Sequence, residues 1–258
     1  MARWKATIAY DGSAFSGWQV QPGKRTVQGE LEKGLTKLHK GENKKVVASG
    51  RTDAQVHARG QVVHFDSFLQ IPSARWPRAF DTVLPRDMQV ICVERVHDHF
   101  HARFDATAKE YRFFLHVGRE RDVFQRHYVH HVFANAFDHE AVRRSLQPLI
   151  GTHDFSSFCA SDTNVESKVR TLNAASYVQT AEGEWCFRFN GDGFLYNMVR
   201  IIVGTAINIG ARRLAVEDMN RILHARDRRQ AGMTVPGHGL YLWQVQYGHK
   251  DVYPAGCG

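Results

Sequence analysis

Apolar and polar positions alternate over residues 5–10, the pattern of a half-buried strand, and the run ends in the turn Asp11-Gly12-Ser13. After the break at Pro22-Gly23, Thr26 reads as the N-cap of a helix whose Val27, Leu31, Leu35 and Leu38 share one face and which closes near Gly41. Short strands are predicted over 46–49 and 61–65, flanking Gly50-Arg51-Thr52-Asp53-Ala54-Gln55. Pro72, Pro77 and Pro85 then predict loop, followed by a β-rich run over 88–96. The second half opens with a strand over 109–117. A helix over 141–150 follows, capped by Asp138 and closed by Gly151. Strands over 174–178 and 185–190 precede a buried helix over 194–209, where Leu195, Met198, Val199, Ile202, Val203 and Ala206 recur at helical spacing. A helix near 217–225 and a strand over 240–247 complete the chain. Each half thus reads in a β-α-β-β-α-β-like order, which predicts an α+β protein of two related ferredoxin-like or RRM-like halves, 1–105 and 106–258. Their mainly antiparallel sheets would join centrally, with helices packed on one side.

Composition narrows the class. The chain has 258 residues, 43% hydrophobic and 23% charged, the usage of a folded globular protein with a sizeable core. The formal net charge is +8, from 16 basic and 11 acidic side chains in 1–105 and 18 and 15 in 106–258. Positive charge spread over both halves, with no basic tail, suits a groove that follows a polyanion; a generally basic enzyme is the plainer alternative. Cys92, Cys159, Cys186 and Cys257 form no C-x-x-C pair, which argues against a zinc ribbon or a dithiol redox site. The N-terminus lacks the apolar segment of a secretory signal, and no run approaches the ~18 apolar residues that span a bilayer. A reducing, cytoplasmic setting without membrane attachment is expected.

The stretch Gly50 to Ala58 puts Arg51, Thr52, Asp53 and His57 in a loop between β-type segments, where rigid strands can hold reactive groups. Alone it reads equally as a solvated turn. Its company decides. Tyr10-Asp11-Gly12-Ser13-Ala14-Phe15-Ser16-Gly17-Trp18-Gln19, Thr26-Val27-Gln28-Gly29-Glu30-Leu31-Glu32, Gly50 to Ala58, Leu84-Pro85-Arg86-Asp87 and Phe100-His101-Ala102-Arg103-Phe104 occur in order. So do Lys109-Glu110-Tyr111-Arg112, the segment from Gly151 to Phe158, Gly193 to Arg200, and Gly239-Leu240-Tyr241-Leu242. Through this ordered set the chain resembles the tRNA pseudouridine synthase A family over nearly its whole length.

The resemblance implies isomerisation of uridine to pseudouridine at positions 38 to 40 of the tRNA anticodon stem-loop, by a homodimer and without a cofactor. Breaking the N1–C1′ bond and remaking it through C5 involves no net redox change and no water, so neither nicotinamide nor metal is needed. An ionised carboxylate at the sugar–base junction is needed, as nucleophile or as electrostatic stabiliser, and on the family pattern it is Asp53. Arg200 interrupts an apolar helix; by spacing alone it could be a snorkelling surface side chain, and the resemblance implies an ion pair that keeps Asp53 charged. Tyr111 could be a plain strand aromatic, and the resemblance places it against the target base. Extruding the uridine leaves a gap that Arg51 is positioned to fill. Phe100, His101, Arg103 and Phe104 offer stacking surfaces and phosphate contacts, as do Asn164 and Lys168 by analogy.

Arg212, Arg213, Arg221, Arg226, Arg228 and Arg229 read as solvated or backbone-steering charge. One position departs from the pattern: Gln55 stands where the family continues with Gly, which matters if the site requires positive φ or close approach of RNA. His97, His99 and His101 alternate so that a strand would align them, but no Cys or carboxylate completes a recognised metal spacing, and no metal is expected. Two other readings remain at this point. A non-catalytic RNA-binding protein would bind tRNA without isomerising it, and a metal-dependent hydrolase would lose activity to a chelator.

Overall fold

The computed structural model describes residues 1–160 and 165–248. They form two compact units: Met1–Thr107 with the segment from Leu242 onward, and Ala108–Tyr241. The chain after Tyr241 therefore groups with the first unit, and not with the rest of 106–258.

In the first unit the strand order is β4-β1-β3-β10, from β1 (Ala2–Tyr10), β3 (His57–Ser67), β4 (Met88–Arg95) and β10 (Leu240–Tyr247). Strand β1 lies between antiparallel partners, with Trp4 opposite Phe65 of β3 and Arg95 of β4. Its alternation is real: Trp4, Ala6, Ile8 and Tyr10 are buried while the intervening residues are half-exposed. Short β2 (Val47–Ala48) pairs with β3. Helix α1 (Val27–Leu38) starts where Thr26 Oγ1 accepts from the Gly29 N–H at 3.3 Å, and buries Val27, Leu31 and Leu35 as the spacing predicts.

The region read as loop around Pro72 and Pro77 contains helix α2 (Trp76–Asp81). Pro77 lies in its first turn, where a missing N–H breaks no helical hydrogen bond, so the proline begins a helix there. Trp76 and Phe80 are fully buried, and Trp76 packs against Trp4 and Phe65 at 5.5 and 5.4 Å between ring centres. Burying such rings is worth about 1.5–3 kcal/mol each, which outweighs the weak local propensity.

The second unit orders its strands β5-β9-β8-β7: β5 (Ala106–Gly118), β9 (Glu184–Gly191), β8 (Val169–Ala181) and β7 (Gly151–Asp154), all antiparallel to their neighbours. Strand β6 (His130–Phe133) adds to β5 in parallel. Neither β6 nor β7 is predicted from the sequence, since four residues are too few to show a period. Helices α3 (His139–Ser145), α4 (Met198–Gly210) and α5 (Asp218–Ala225) complete the unit. Asp138 caps α3 through the Ala141 N–H at 2.9 Å as expected, but Pro148 turns its end into a 3-10 turn. Helix α4 starts at Met198, four residues later than the apolar run, because Asn197 adopts a left-handed conformation with φ 60°. Phe113, Phe187, Phe189 and Tyr177 are fully buried on the paired strands.

His64 of β3 makes the first unit sensitive to acid. Burial is the main cause that lowers its pKa from 6.5 to about 4; Arg3 and His101 add to this, and Asp66 and Asp105 oppose it. Its Nδ1 accepts from the Ala102 N–H at 3.0 Å, a bond only the unprotonated nitrogen can make. Between pH 6.5 and 4 the unfolded chain takes up a proton that the folded chain excludes, so stability falls as pH falls through this window. Urea unfolding is expected to give a lower midpoint at pH 5 than at pH 7, with a smaller difference in His64→Gln. Equal midpoints in wild type would contradict this.

Candidate active site

The loop from Ser49 to Val56 joins β2 to β3 and is fixed at nearly every residue. Ser49 Oγ donates to Gln61 Oε1 at 2.7 Å, and Gln61 Nε2 donates to the Gly50 carbonyl at 2.9 Å, so one buried side chain on β3 holds the entry to the loop. Tyr10 and Thr52 share a buried hydroxyl–hydroxyl bond of 2.8 Å. Burial pushes the Tyr10 pKa up to about 12, against its bonds to Thr52 and Gln61, so it stays a neutral phenol. The Thr52 carbonyl accepts from the Trp18 N–H at 2.9 Å, and the Val56 N–H donates to the Asp53 carbonyl at 3.2 Å, closing a tight turn. Asp53 is half-buried at the head of that turn, between the exposed side chains of Arg51 and Ala54.

Residues 10–18 are the brace for this loop. Gly12 passes so close that a Cβ there would lie 2.1 Å from the Val56 carbonyl oxygen; at Gly17, with φ +92°, one would lie 3.0 Å from that of Thr52. The Gly12 N–H donates to His57 Nδ1 at 3.0 Å. The brace is itself tied down: Asp11 N–H donates to the Asp87 carbonyl at 3.0 Å, and Ser16 N–H to that of Arg25 at 2.9 Å. Arg25 makes a two-pronged ion pair with Asp87 at 2.6 and 2.8 Å and lies 4.2 Å over the Phe15 ring. The Tyr10–Gln19 and Leu84–Asp87 motifs thus act on the loop through its backbone. Their effect is preorganisation: a carboxylate whose position is set before any substrate arrives.

Gln55 occupies a left-handed conformation, φ 65°. The position does demand the geometry that glycine adopts freely, and Gln adopts it at a cost of about 1–2 kcal/mol. Its side chain is exposed, so it does not obstruct the brace. Gln55→Gly is expected to keep the fold and raise unfolding free energy by at most about 1 kcal/mol, the relieved strain being partly offset by unfolded-chain entropy. A loss of stability in urea would contradict this reading of the turn.

The segment after β4 divides in its roles. Phe100, expected as a stacking surface, is 1% exposed; it packs on Tyr247 and His64 and belongs to the core. Phe104 is 74% exposed and stacks on His101 at 4.2 Å, with the Arg103 guanidinium 5.7 Å from its ring. His101 is locked by its Nδ1, which accepts from the N–H groups of Arg103 and Phe104 at 3.2 Å, and by its own N–H to Asp105 at 2.6 Å. That is a rigid, cationic, aromatic platform, the chemistry that receives a nucleobase and its phosphate.

In the second unit Tyr111 lies on β5 opposite Phe189, is 8% exposed and meets Phe194 edge-on at 4.9 Å. Arg200 sits in the first turn of α4, where a cation opposes the helix dipole. Its Nε donates to the Val235 carbonyl at 2.7 Å and its Nη1 to Asn197 Oδ1 at 2.6 Å, so the guanidinium is held in a fixed direction and does not snorkel. Lys168 is half-buried and its carbonyl accepts from the Phe155 N–H at 3.0 Å. Asn164 lies outside the described residues. The arginines of 212–229 are largely engaged nearby: Arg221 with Asp218, Arg226 with Asp154, Arg229 with Asp227. His97 and His99 stack at 5.4 Å, and among the described residues no three His, Cys, Asp or Glu side chains are grouped to hold a metal.

A family model described as tRNA pseudouridine synthase matches residues 6–105 and 146–248, spanning both the Asp53 loop and the Arg200 helix. The chain belongs to the tRNA pseudouridine synthase A family. It is 52% identical over 246 residues to the tRNA pseudouridine synthase A of Bacillus subtilis, covering 95% of this chain and 99% of that one. The enzyme of Anoxybacillus flavithermus is 53% identical over 249 residues, covering 96% and 99%. The chain is therefore an isomerase that converts uridine to pseudouridine in tRNA. No helix among its described residues is long and apolar enough to cross a membrane.

Proposed function

We propose that this synthase acts on uridines 38, 39 and 40 of the tRNA anticodon stem-loop, with Asp53 as nucleophile and without a cofactor. The observation that carries the proposal is the braced Asp53 turn, whose backbone is fixed by Tyr10, Gly12, Trp18 and Gln61 while its carboxylate stays at the rim. Bond breaking at C1′–N1 leaves an electron-poor centre, and a fixed carboxylate is what that centre requires. The base turns and rebonds through C5, then C5 loses its proton; atoms and electrons balance within the uridine and one proton exchanged with water.

In this reading Arg200 pairs with Asp53 and keeps it ionised, Tyr111 packs on the extruded base, and Arg51 fills the gap left in the stem-loop. His101, Arg103 and Phe104 receive neighbouring nucleotides, and Lys168 a phosphate. The enzyme works in the cytoplasm as a homodimer, a part of the reading that rests on family resemblance. The test is to map pseudouridine by mass spectrometry in tRNA transcripts in which uridines 38, 39 and 40 are replaced singly by cytidine. Product confined to the remaining uridines of this set supports the assignment, and product elsewhere in the tRNA overturns it.

A further inference from the structure

Away from the Asp53 loop, the second unit contains a cavity of about 200 Å³ between β6, the segment before it and the turn before β10. Its lining includes His116, His130, His131 and His238 together with Arg121 and Arg126. The parallel pairing of β6 with β5 sets His131 opposite His116, and their rings stack at 5.2 Å and 21°. His130 and His238 approach at 5.6 Å. Both ring nitrogens of His131 are buried, and neither meets a hydrogen-bond partner. Leaving such groups unsatisfied costs roughly 1–3 kcal/mol, a cost that a ligand with donors and acceptors would relieve.

The chemistry of the lining selects the ligand. Burial lowers the pKa of His130 to about 4 and also depresses that of His131, so near neutral pH these rings are uncharged, flat and able both to stack and to hydrogen-bond. Positive charge comes from the exposed Arg121 and Arg126. Asp122, the acid of the lining, is occupied by the Phe124 N–H at 2.8 Å. No metal-binding group of three is present among the described residues, and the volume is below the ~300–1,000 Å³ of pockets for drug-sized molecules. Neutral heteroaromatic rings beside two guanidiniums match one heteroaromatic base carrying a phosphate.

We propose that this cavity binds one nucleotide of the tRNA substrate other than the uridine being converted, its base among the imidazoles and its phosphate on Arg121 and Arg126. The proposal needs only that the substrate is tRNA, and holds whichever uridine is the target. The test compares wild type, His131→Phe and Arg121→Ala/Arg126→Ala in steady-state pseudouridine formation on tRNA, with thermal unfolding alongside. His131→Phe keeps the ring and removes the unpaired nitrogens, so a merely structural role predicts equal or higher thermal stability and unchanged kinetics. The proposal predicts a KM for tRNA raised several-fold with kcat within twofold. For the double arginine variant it also predicts that the slope of log affinity against log salt shrinks by about 2, one per lost phosphate contact.

Uridine 5′-monophosphate and inorganic phosphate, titrated alone, separate the sources of such a ligand. Mononucleotide binding with tRNA kinetics and salt slope unchanged in the variants would assign the cavity to a free nucleotide and overturn the proposal. A change in sedimentation with unchanged KM would also overturn it, making this face a protein contact.

Discussion

Asp53→Asn is expected to lower turnover by about 10³-fold or more, the scale of losing a charge that acts on the reacting centre. Asn has nearly the same shape and no charge, and the loop bonds that the structure places around it run through the backbone of Thr52, Asp53 and Val56. The urea midpoint should therefore stay near wild type, and tRNA affinity within about threefold, since phosphate contacts dominate binding. If turnover fell only in step with stability or affinity, Asp53 would be a structural residue of the turn and the mechanism would need another carboxylate.

Gly12→Ala is the second large effect. The added Cβ would stand 2.1 Å from the Val56 carbonyl oxygen and 2.5 Å from its carbon, both backbone, so no side chain can move aside. Relief requires that β1's end and the loop separate, at a cost of about 3 kcal/mol or more. That motion would also break the Gly12–His57 bond and displace the turn that carries Asp53. A shift of about 1 Å in such a group costs on the order of 10²-fold in rate, so kcat should fall that far even at temperatures where circular dichroism shows the variant folded. Native kcat in a folded Gly12→Ala protein would show that the 10–18 segment does not position the loop.

These two residues mark what the sequence makes legible. The strands and helices with clear periods, β1, α1 and β10, lie within a few residues of where alternation and spacing place them, because one buried face leaves a signal. Helix α2 is hidden because its prolines read as breakers, and what forms it is the burial of Trp76 and Phe80 against residues far away in sequence. At the site, Asp53 and Arg51 are visible as a charged loop between strands. The residues that hold the loop are not: the partnership of Gln61 with Ser49 and Gly50 spans β3, and that of Tyr10 with Thr52 crosses 42 positions. A buried Gln in an apolar strand is the one local clue, since a buried amide needs partners. Phe100 misleads for the same reason in reverse, an aromatic in a basic segment whose ring faces the core.

The measurement that bears most directly on the account is tritium release from an anticodon stem-loop labelled at C5 of uridines 38 to 40, with wild type and Asp53→Asn at equal RNA occupancy. The hydrogen at C5 is lost only when the new carbon–carbon bond has formed. Release by wild type in proportion to pseudouridine formed, with none from Asp53→Asn, is the predicted result. Comparable release from both proteins, or none from wild type with the RNA bound, would contradict it.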